Sequence, residues 1–325
     1  MRVMLIGPSF FGYCEMVAAE MKRQGHEVTL VSDRPSDSVA FKSLAKISYS
    51  LVSASISKYA AMVEGRLLAD EYDMVLFMSG MSFCFTRNQF VRIKQASSAK
   101  FVLYLWDSLS NCQRVGSCLH LFDKAFSFEP DDCDRYGLGL LPLFYDGAYS
   151  HSSVDDEEIE YDACFVGSVH QVSKFNNVRQ IANSLKRDGY KVFTYFYMPS
   201  RSVAKLRTIF HPEYKEEQLR FEPLSKEEVS SLYSKSRAII DSPQTGQNGL
   251  TMRTMETLGA KRKLITANCS ISSYEFFDER NIYIAVEGCS PTKDFFESGY
   301  VSLDDAIYEK YSISGFVRRL INLEV

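Results

Sequence analysis

Between Gln247 and Ala260 the chain sets a hydroxyl, a guanidinium and a carboxylate within six residues. These are Thr251, Arg253 and Glu256, shortly after Gly249. The pattern predicts a glycine-opened loop, then a helix, then a short strand at Lys263 to Thr266. Free backbone N–H groups at a helix start attract anions, and the helix dipole adds to that attraction. A carboxylate one turn further in is oddly placed for phosphate alone. It suits a ligand carrying both phosphate and sugar hydroxyls, such as a nucleotide-sugar. On an exposed helix Arg253 and Glu256 would form only a local i, i+3 ion pair, contributing about 0.2–0.5 kcal/mol. Their place in the first turns after Gly249 favours the ligand role.

Further groups fall at the ends of predicted strands. Gly167-Ser168 closes the strand that begins at Tyr161, and Lys174 and Arg179 follow on the next helix or its approach. A glycine turn with a cation can clamp a diphosphate, because a guanidinium binds phosphate oxygens bidentately. Asp241-Ser242-Pro243 ends the strand before the opening motif, where it either holds the loop or only terminates the strand. Asp107 follows the strand Phe101 to Leu105 and has two readings: a general base for an attacking hydroxyl, or an N-cap, since Asp-Ser-Leu-Ser is a good helix start. Ser79-Gly80 ends the neighbouring strand and would line the same cleft. Gly7-Pro-Ser-Phe-Phe-Gly12 is neither a dinucleotide fingerprint nor a P-loop, although Asp33 ends the second strand. That loop reads as a structural turn or as a place where an acceptor approaches the backbone at Gly12.

The elements that position these groups alternate strand and helix twice. The first run extends from Arg2 to about residue 150, with residues 35–57 unassigned; the second restarts at Tyr161. Ser150 to Glu160 is Ser- and acid-rich and reads as a linker. The expectation is α/β: two doubly wound, Rossmann-like domains, 1–150 and 151–311, facing a central cleft at the carboxyl ends of their strands. At 325 residues, 46% hydrophobic and 24% charged, the chain can bury two cores. A net charge of −4 argues against a nucleic-acid partner. The basic cluster Lys261-Arg262-Lys263 reads first as solvated charge and second as a membrane or phosphate patch. Eight cysteines stand singly, the N-terminus lacks a signal-peptide pattern, and no apolar run reaches membrane-span length. These features predict a cytoplasmic protein, and five scattered histidines predict no metal site.

The segments Tyr161-Asp-Ala-Cys-Phe-Val-Gly-Ser, Asp241 through Arg253-x-x-Glu256, Gly259 and Lys263-Leu-Ile-Thr resemble a glycosyltransferase of the GT-B fold. The similarity is to bacterial polysaccharide-, lipopolysaccharide- and spore-coat-type transferases. Leu105-Trp-Asp-Ser and Leu141-Pro-Leu-Phe-Tyr in the first half look similar to that group too. The resemblance implies that the second domain holds a nucleotide-sugar and the first presents a saccharide or lipid-linked acceptor, in cell-surface polysaccharide assembly. It implies that Glu256 bonds the ribose and that Gly167 and Ser168 face the phosphates. Arg179, Thr251 and Arg253 would contact phosphate or sugar, Gly249 would open the loop, and Gly12 and Ser79 would lie on the acceptor side. The closing helix, about 312–325, would pack back on the first domain. No cofactor or metal is required, since no Asp-x-Asp motif is present. Many retaining relatives carry a glutamate where this chain has Asn248, so retaining and inverting outcomes both stay open, with Asp107 the base if inverting. Peripheral contact with the inner face of a membrane fits a lipid-linked acceptor. Two alternatives share the architecture: a non-catalytic nucleotide- or sugar-binding protein, and an epimerase-like enzyme. Arg253→Ala or Glu256→Ala is expected to abolish transfer with the fold intact.

Overall fold

A computed structural model describes residues 1–9, 12–150, 158–169, 171–212, 214, 218–285 and 289–324. The chain divides into two compact units, Met1–Pro142 with Val317–Val325, and Leu143–Phe316. Most of the linker expected at Ser150 to Glu160 lies outside the described residues.

In the first unit β1 (Arg2–Gly7), α1 (Tyr13–Arg23) and β2 (Glu27–Ser32) form the opening strand–helix–strand. They are followed by α2 (Val39–Ile47), α3 (Ser53–Ala69), β3 (Met74–Ser79), α4 (Arg87–Gln95) and β4 (Lys100–Leu105). The series ends with α5 (Gln113–Cys118), β5 (Lys124–Ser127), α6 (Pro130–Tyr136) and β6 (Gly139–Leu140). The strands make one parallel sheet in the order β2-β1-β3-β4-β5-β6. β3 is buried along its whole length, and β1 and β4 at all but their first residue, as expected of parallel strands covered by helices on both faces. On one face Phe77 packs edge-to-face with Phe90, Phe122 and Phe85 at ring separations of 5.3, 5.6 and 6.3 Å. A reciprocal capping box, Thr86 with Gln89, starts α4.

The unassigned stretch 35–57 is helical. Ser38 caps α2 by accepting from the Phe41 N–H. No residue of α2 is buried, and Val39 and Ile47 are 80% and 76% exposed. Within α2 only Phe41, partly buried, packs against the core, so the helix offers little core-facing stripe for the sequence to show.

The second unit holds β7 (Tyr161–Ser168), α7 (Val172–Arg187), β8 (Val192–Tyr197), α8 (Arg201–Phe210), β9 (Leu219–Arg220) and α9 (Lys226–Ser234). Then come β10 (Ser236–Asp241), α10 (Met252–Gly259), β11 (Lys263–Thr266) and β12 (Ile282–Ile284). Three helices finish the chain: α11 (Lys293–Glu297), α12 (Asp305–Lys310) and α13 (Ile313–Asn322), the last shared between the two units. Its parallel sheet runs β12-β11-β10-β7-β8-β9, so chain order reverses between β7 and β10. That reversal is a topological switch point, where open α/β sheets leave a crevice at the strand carboxyl ends. The arrangement is α/β, with a six-stranded parallel sheet in each unit. All eight cysteines are free, and among the described residues no helix is long and apolar enough to cross a membrane.

Candidate functional site

At the switch point of the second unit, Arg253 spans the two strands that part there. Its Nη1 donates to Asp241 Oδ1 at 2.8 Å, at the end of β10. Its Nε and Nη2 donate to the Val166 carbonyl, on β7, at 3.0 and 2.6 Å. The guanidinium lies over the Phe165 ring, 4.7 Å from its centroid. Asp241 is fully buried and also accepts from Thr254 Oγ1 at 3.3 Å. Thus Asp241 does more than end a strand: it orients the first turn of α10. These bonds use three of the five guanidinium donors. The side chain is rigid and keeps two N–H groups for other partners.

The local ion pair of Arg253 with Glu256 does not form; Arg253 pairs with Asp241 instead. Breaking a buried pair leaves an uncompensated charge, at a cost of about 3–5 kcal/mol. Arg253→Ala is therefore expected to carry a stability cost of its own besides any loss of transfer. Gly167 lies against Arg253: a Cβ there would collide with Arg253 Nη2. The absent side chain makes room for the guanidinium. Ser168 pairs with Tyr197 at the end of the β7 ladder and is partly exposed.

Glu256 is half-buried, hydrogen-bonded to Tyr149, and lies near Lys226 and Tyr233. Burial pushes its carboxyl up to about 7, against the opposing pull of Arg253, the Tyr149 hydrogen bond and Lys226. Tyr149 is positioned by the turn 146–149: Asp146 caps it and pairs with Lys226, and Ser230 Oγ donates to the Ala148 carbonyl at 2.6 Å. Tyr149 and Lys226 had no sequence signal, because residues 107 and 30 positions from Glu256 meet it only in the fold. Lys174, half-buried on α7, is pushed down to about 8 by burial and by Arg253, with Asp241 opposing. Arg179 stacks over Phe175 at 5.4 Å.

Thr251 is the N-cap of α10, its Oγ1 accepting from the Thr254 N–H at 3.2 Å. Gly249 and Asn248 offer their carbonyls to Asn268 Nδ2, which holds the loop before α10. The loops after β7 and β10 are tied by Gln171 to Gln244 at 3.1 Å and Ser173 to Thr245 at 2.9 Å. In the cluster at 261–263, Arg262 and Lys263 are held by the fold, and Lys261 lies over the Tyr308 ring at 4.9 Å. Lys263 is buried and donates to the Phe295 carbonyl and Ser298 Oγ at 2.5 and 2.7 Å, and Arg262 donates to the Ser234 carbonyl. Gly259 admits the Tyr145 ring, which any Cβ would strike.

In the first unit a cavity of about 480 Å³ opens beside the ends of β3 and β4, lined in part by Gly80, Trp106 and Asp107. Asp107 is not an N-cap: its Oδ2 accepts from the Met81 N–H at 3.4 Å, and Leu109 N–H is satisfied by Asp132. Gly80 is needed here, because a Cβ would collide with Asp107 Oδ2. Ser79, expected on the acceptor side, is fully buried with no partner for its Oγ, since as the last residue of β3 it turns into the covered face of the sheet. Gly12 precedes α1 at φ +69°, a left-handed turn, and its neighbours 10 and 11 lie outside the described residues. Among the described residues no group of acidic, cysteine or histidine side chains could hold a metal ion.

No protein-family model and no curated protein matches the sequence. Solved structures do match along the chain. The lipopolysaccharide outer core galactosyltransferase WaaB in its apo form aligns over 100% of both chains at 12% identity and a TM-score of 0.58. A glycosyltransferase from Rickettsia africae aligns over 99% of this chain and 97% of its own, at 12% identity and a TM-score of 0.60. An alpha-glucosyltransferase in complex with UDP and a mismatched DNA aligns over 87% of this chain and 81% of its own, at 15% identity and 0.54. Two units, each a parallel six-stranded sheet with flanking helices, and this likeness together give the chain the GT-B glycosyltransferase fold.

Proposed function

We propose that the chain is a glycosyltransferase that binds a nucleotide-sugar at the β7/β10 switch point and passes its sugar to an acceptor held by the first unit. The observation that carries this reading is the cluster of Arg253, Lys174 and Glu256 around buried Asp241. Arg253 is already paired with Asp241, so Lys174 adds a cation with no carboxylate partner of its own among the described residues, which favours an added anion. As the donor bond breaks, negative charge grows on the leaving diphosphate, and a guanidinium already fixed by Asp241 and Val166 stabilises it without reorganising. Glu256 would take the ribose hydroxyls, which donate to an ionised carboxylate. The glucosyltransferase of the same fold was solved with UDP, which supports a nucleoside diphosphate as the common part of the donor. Asp107, which lines the cavity of the first unit, would accept the acceptor's proton. The acceptor would be a saccharide, free or lipid-linked, in surface polysaccharide assembly, and the reaction would need no metal.

The test is UDP and ADP titration of the full chain, followed by nucleoside diphosphate release from a panel of nucleotide-sugars with and without oligosaccharide acceptors. Saturable binding lost in Glu256→Ala, with acceptor-dependent release, is expected. Binding with no turnover across the panel would identify a binding protein, and sugar conversion without acceptor would identify an epimerase. Unaltered nucleotide binding in Glu256→Ala refutes the site.

A further inference from the structure

The cavity of the first unit has a charge pattern that a neutral sugar does not call for. Besides Asp107 and Trp106 it is lined by Arg34, Lys42, Lys46 and Arg114. Two of the four cations are already compensated: Arg34 meets Asp33 at 2.9 Å and Lys42 meets Asp37 at 3.0 Å. Lys46 and Arg114 have no carboxylate partner among the described residues. Arg114 instead lies over the Tyr49 ring, its guanidinium carbon 3.7 Å from the centroid, a contact that uses the ring face and not the N–H donors. The cations come from α2, the loop before it and the start of α5, whereas Asp107 comes from the end of β4. One cavity therefore offers a carboxylate from the sheet and uncompensated positive charge from the helices.

We infer that this cavity takes a phosphate-bearing acceptor, its anionic group between Lys46 and Arg114 and its sugar hydroxyl toward Asp107. Two uncompensated cations match the charge of a phosphate monoester, and a planar guanidinium binds two of its oxygens. Size agrees with the charge, since about 480 Å³ holds a hexose with its phosphate. This assignment rests on the glycosyltransferase reading only for the word acceptor; the anion site stands on the cavity itself. The phosphate can belong to a soluble sugar phosphate or to a lipid headgroup. The second source has a surface to rest on: Val39, Leu44 and Ile47 of α2 and nearby Leu51 are exposed beside Lys42 and Lys46.

The experiment uses the full chain, with glucose 6-phosphate and glucose as probes and calorimetry or ligand-observed NMR as the readout. Wild type is expected to bind glucose 6-phosphate on the order of tenfold or more tighter than glucose, and Lys46→Glu with Arg114→Gln to lose about that factor. Both side chains are exposed, so the variant should fold, and UDP binding to it reports on the second unit alone. Equal affinity for the two sugars, or glucose 6-phosphate binding unchanged in the variant, overturns the inference. Loss of UDP binding in wild type with sugar-phosphate binding retained would instead sink the donor site and leave the anion site standing. Co-sedimentation with phosphatidylglycerol vesicles, displaced by glucose 6-phosphate, would assign the phosphate to a lipid headgroup. Binding of the sugar phosphate without vesicle capture would assign it to a soluble acceptor.

Discussion

Replacing Glu256 with Gln separates stability from binding, and the structure sets the size of both effects. The fold raises this carboxyl from an ordinary 4.5 to about 7, chiefly by burying it. Each tenfold change in proton affinity corresponds to about 1.4 kcal/mol. Below pH 4.5 the group is protonated whether the chain is folded or not, and costs nothing. As pH rises from 4.5 to 7 the unfolded chain releases the proton and the folded one keeps it, so stability falls, with the full penalty present above 7. The penalty is about 1 kcal/mol at pH 5 and about 3 kcal/mol at pH 8. Gln is neutral throughout and still bonds to Tyr149. The apo variant should therefore gain on wild type by about 2 kcal/mol between pH 5 and pH 8. For a unit of this size that opens a gap in Tm of about 4–8 °C, read by calorimetry on the transition that UDP raises. Saturating UDP should reverse the order at pH 8, because only the wild type offers a charged acceptor to ribose hydroxyls. Parallel Tm curves from pH 5 to 8 would show that Glu256 is not held against its charge, and the ribose assignment would lose its physical basis.

Four other outcomes are expected. Arg253→Ala should cost about 3–5 kcal/mol by stranding buried Asp241; Arg253→Ala with Asp241→Asn should recover part of that loss in urea titrations without recovering UDP binding. Gly167→Ala should displace the guanidinium, lowering stability by about 1–3 kcal/mol and weakening UDP binding, both read on one purified sample. Asp107→Asn should reduce transfer by about 10²–10⁴-fold with UDP affinity unchanged; equal loss of both would place Asp107 outside base chemistry. UDP affinity should peak between about pH 7 and 8, since Glu256 is ionised above about 7 and Lys174 is protonated below about 8. A flat pH profile of Kd would separate nucleotide binding from these two groups.

Strand and helix alternation made both parallel sheets legible, because covered parallel strands are continuous apolar runs that composition reports directly. The residues Gly249, Thr251, Arg253 and Glu256 were legible as a group because a glycine and a capping hydroxyl mark a helix start. Their division of labour was not. Arg253 turned out to be tied to Asp241 and Val166, and Gly167 to serve Arg253, since partners 12 and 87 residues away leave no local pattern. Tyr149 and Lys226 beside Glu256 were invisible for the same reason. The basic cavity of the first unit escaped detection because α2 packs only Phe41 against the core and so carries little core-facing stripe.

Two buried or half-buried lysines of the second unit show how a finished structure differs from a site that awaits a ligand. Lys263 is lowered by burial and by nearby Arg237, as Lys174 is by burial and Arg253. Lys263 nevertheless donates to a carbonyl and a hydroxyl within 2.7 Å, so its charge is held by oxygen atoms of the fold. Lys174 has no such bond among the described residues, and its nearest influences are a cation that repels it and one carboxylate already engaged by Arg253 and Thr254. Burying a cation without oxygen partners is costly, and evolution's usual remedies are neutralisation or replacement. The diphosphate of the proposed donor would provide oxygens for Lys174 and for the remaining donors of Arg253 at once. Both side chains lie beside Asp241, at the end of β10 where the sheet reverses its chain order.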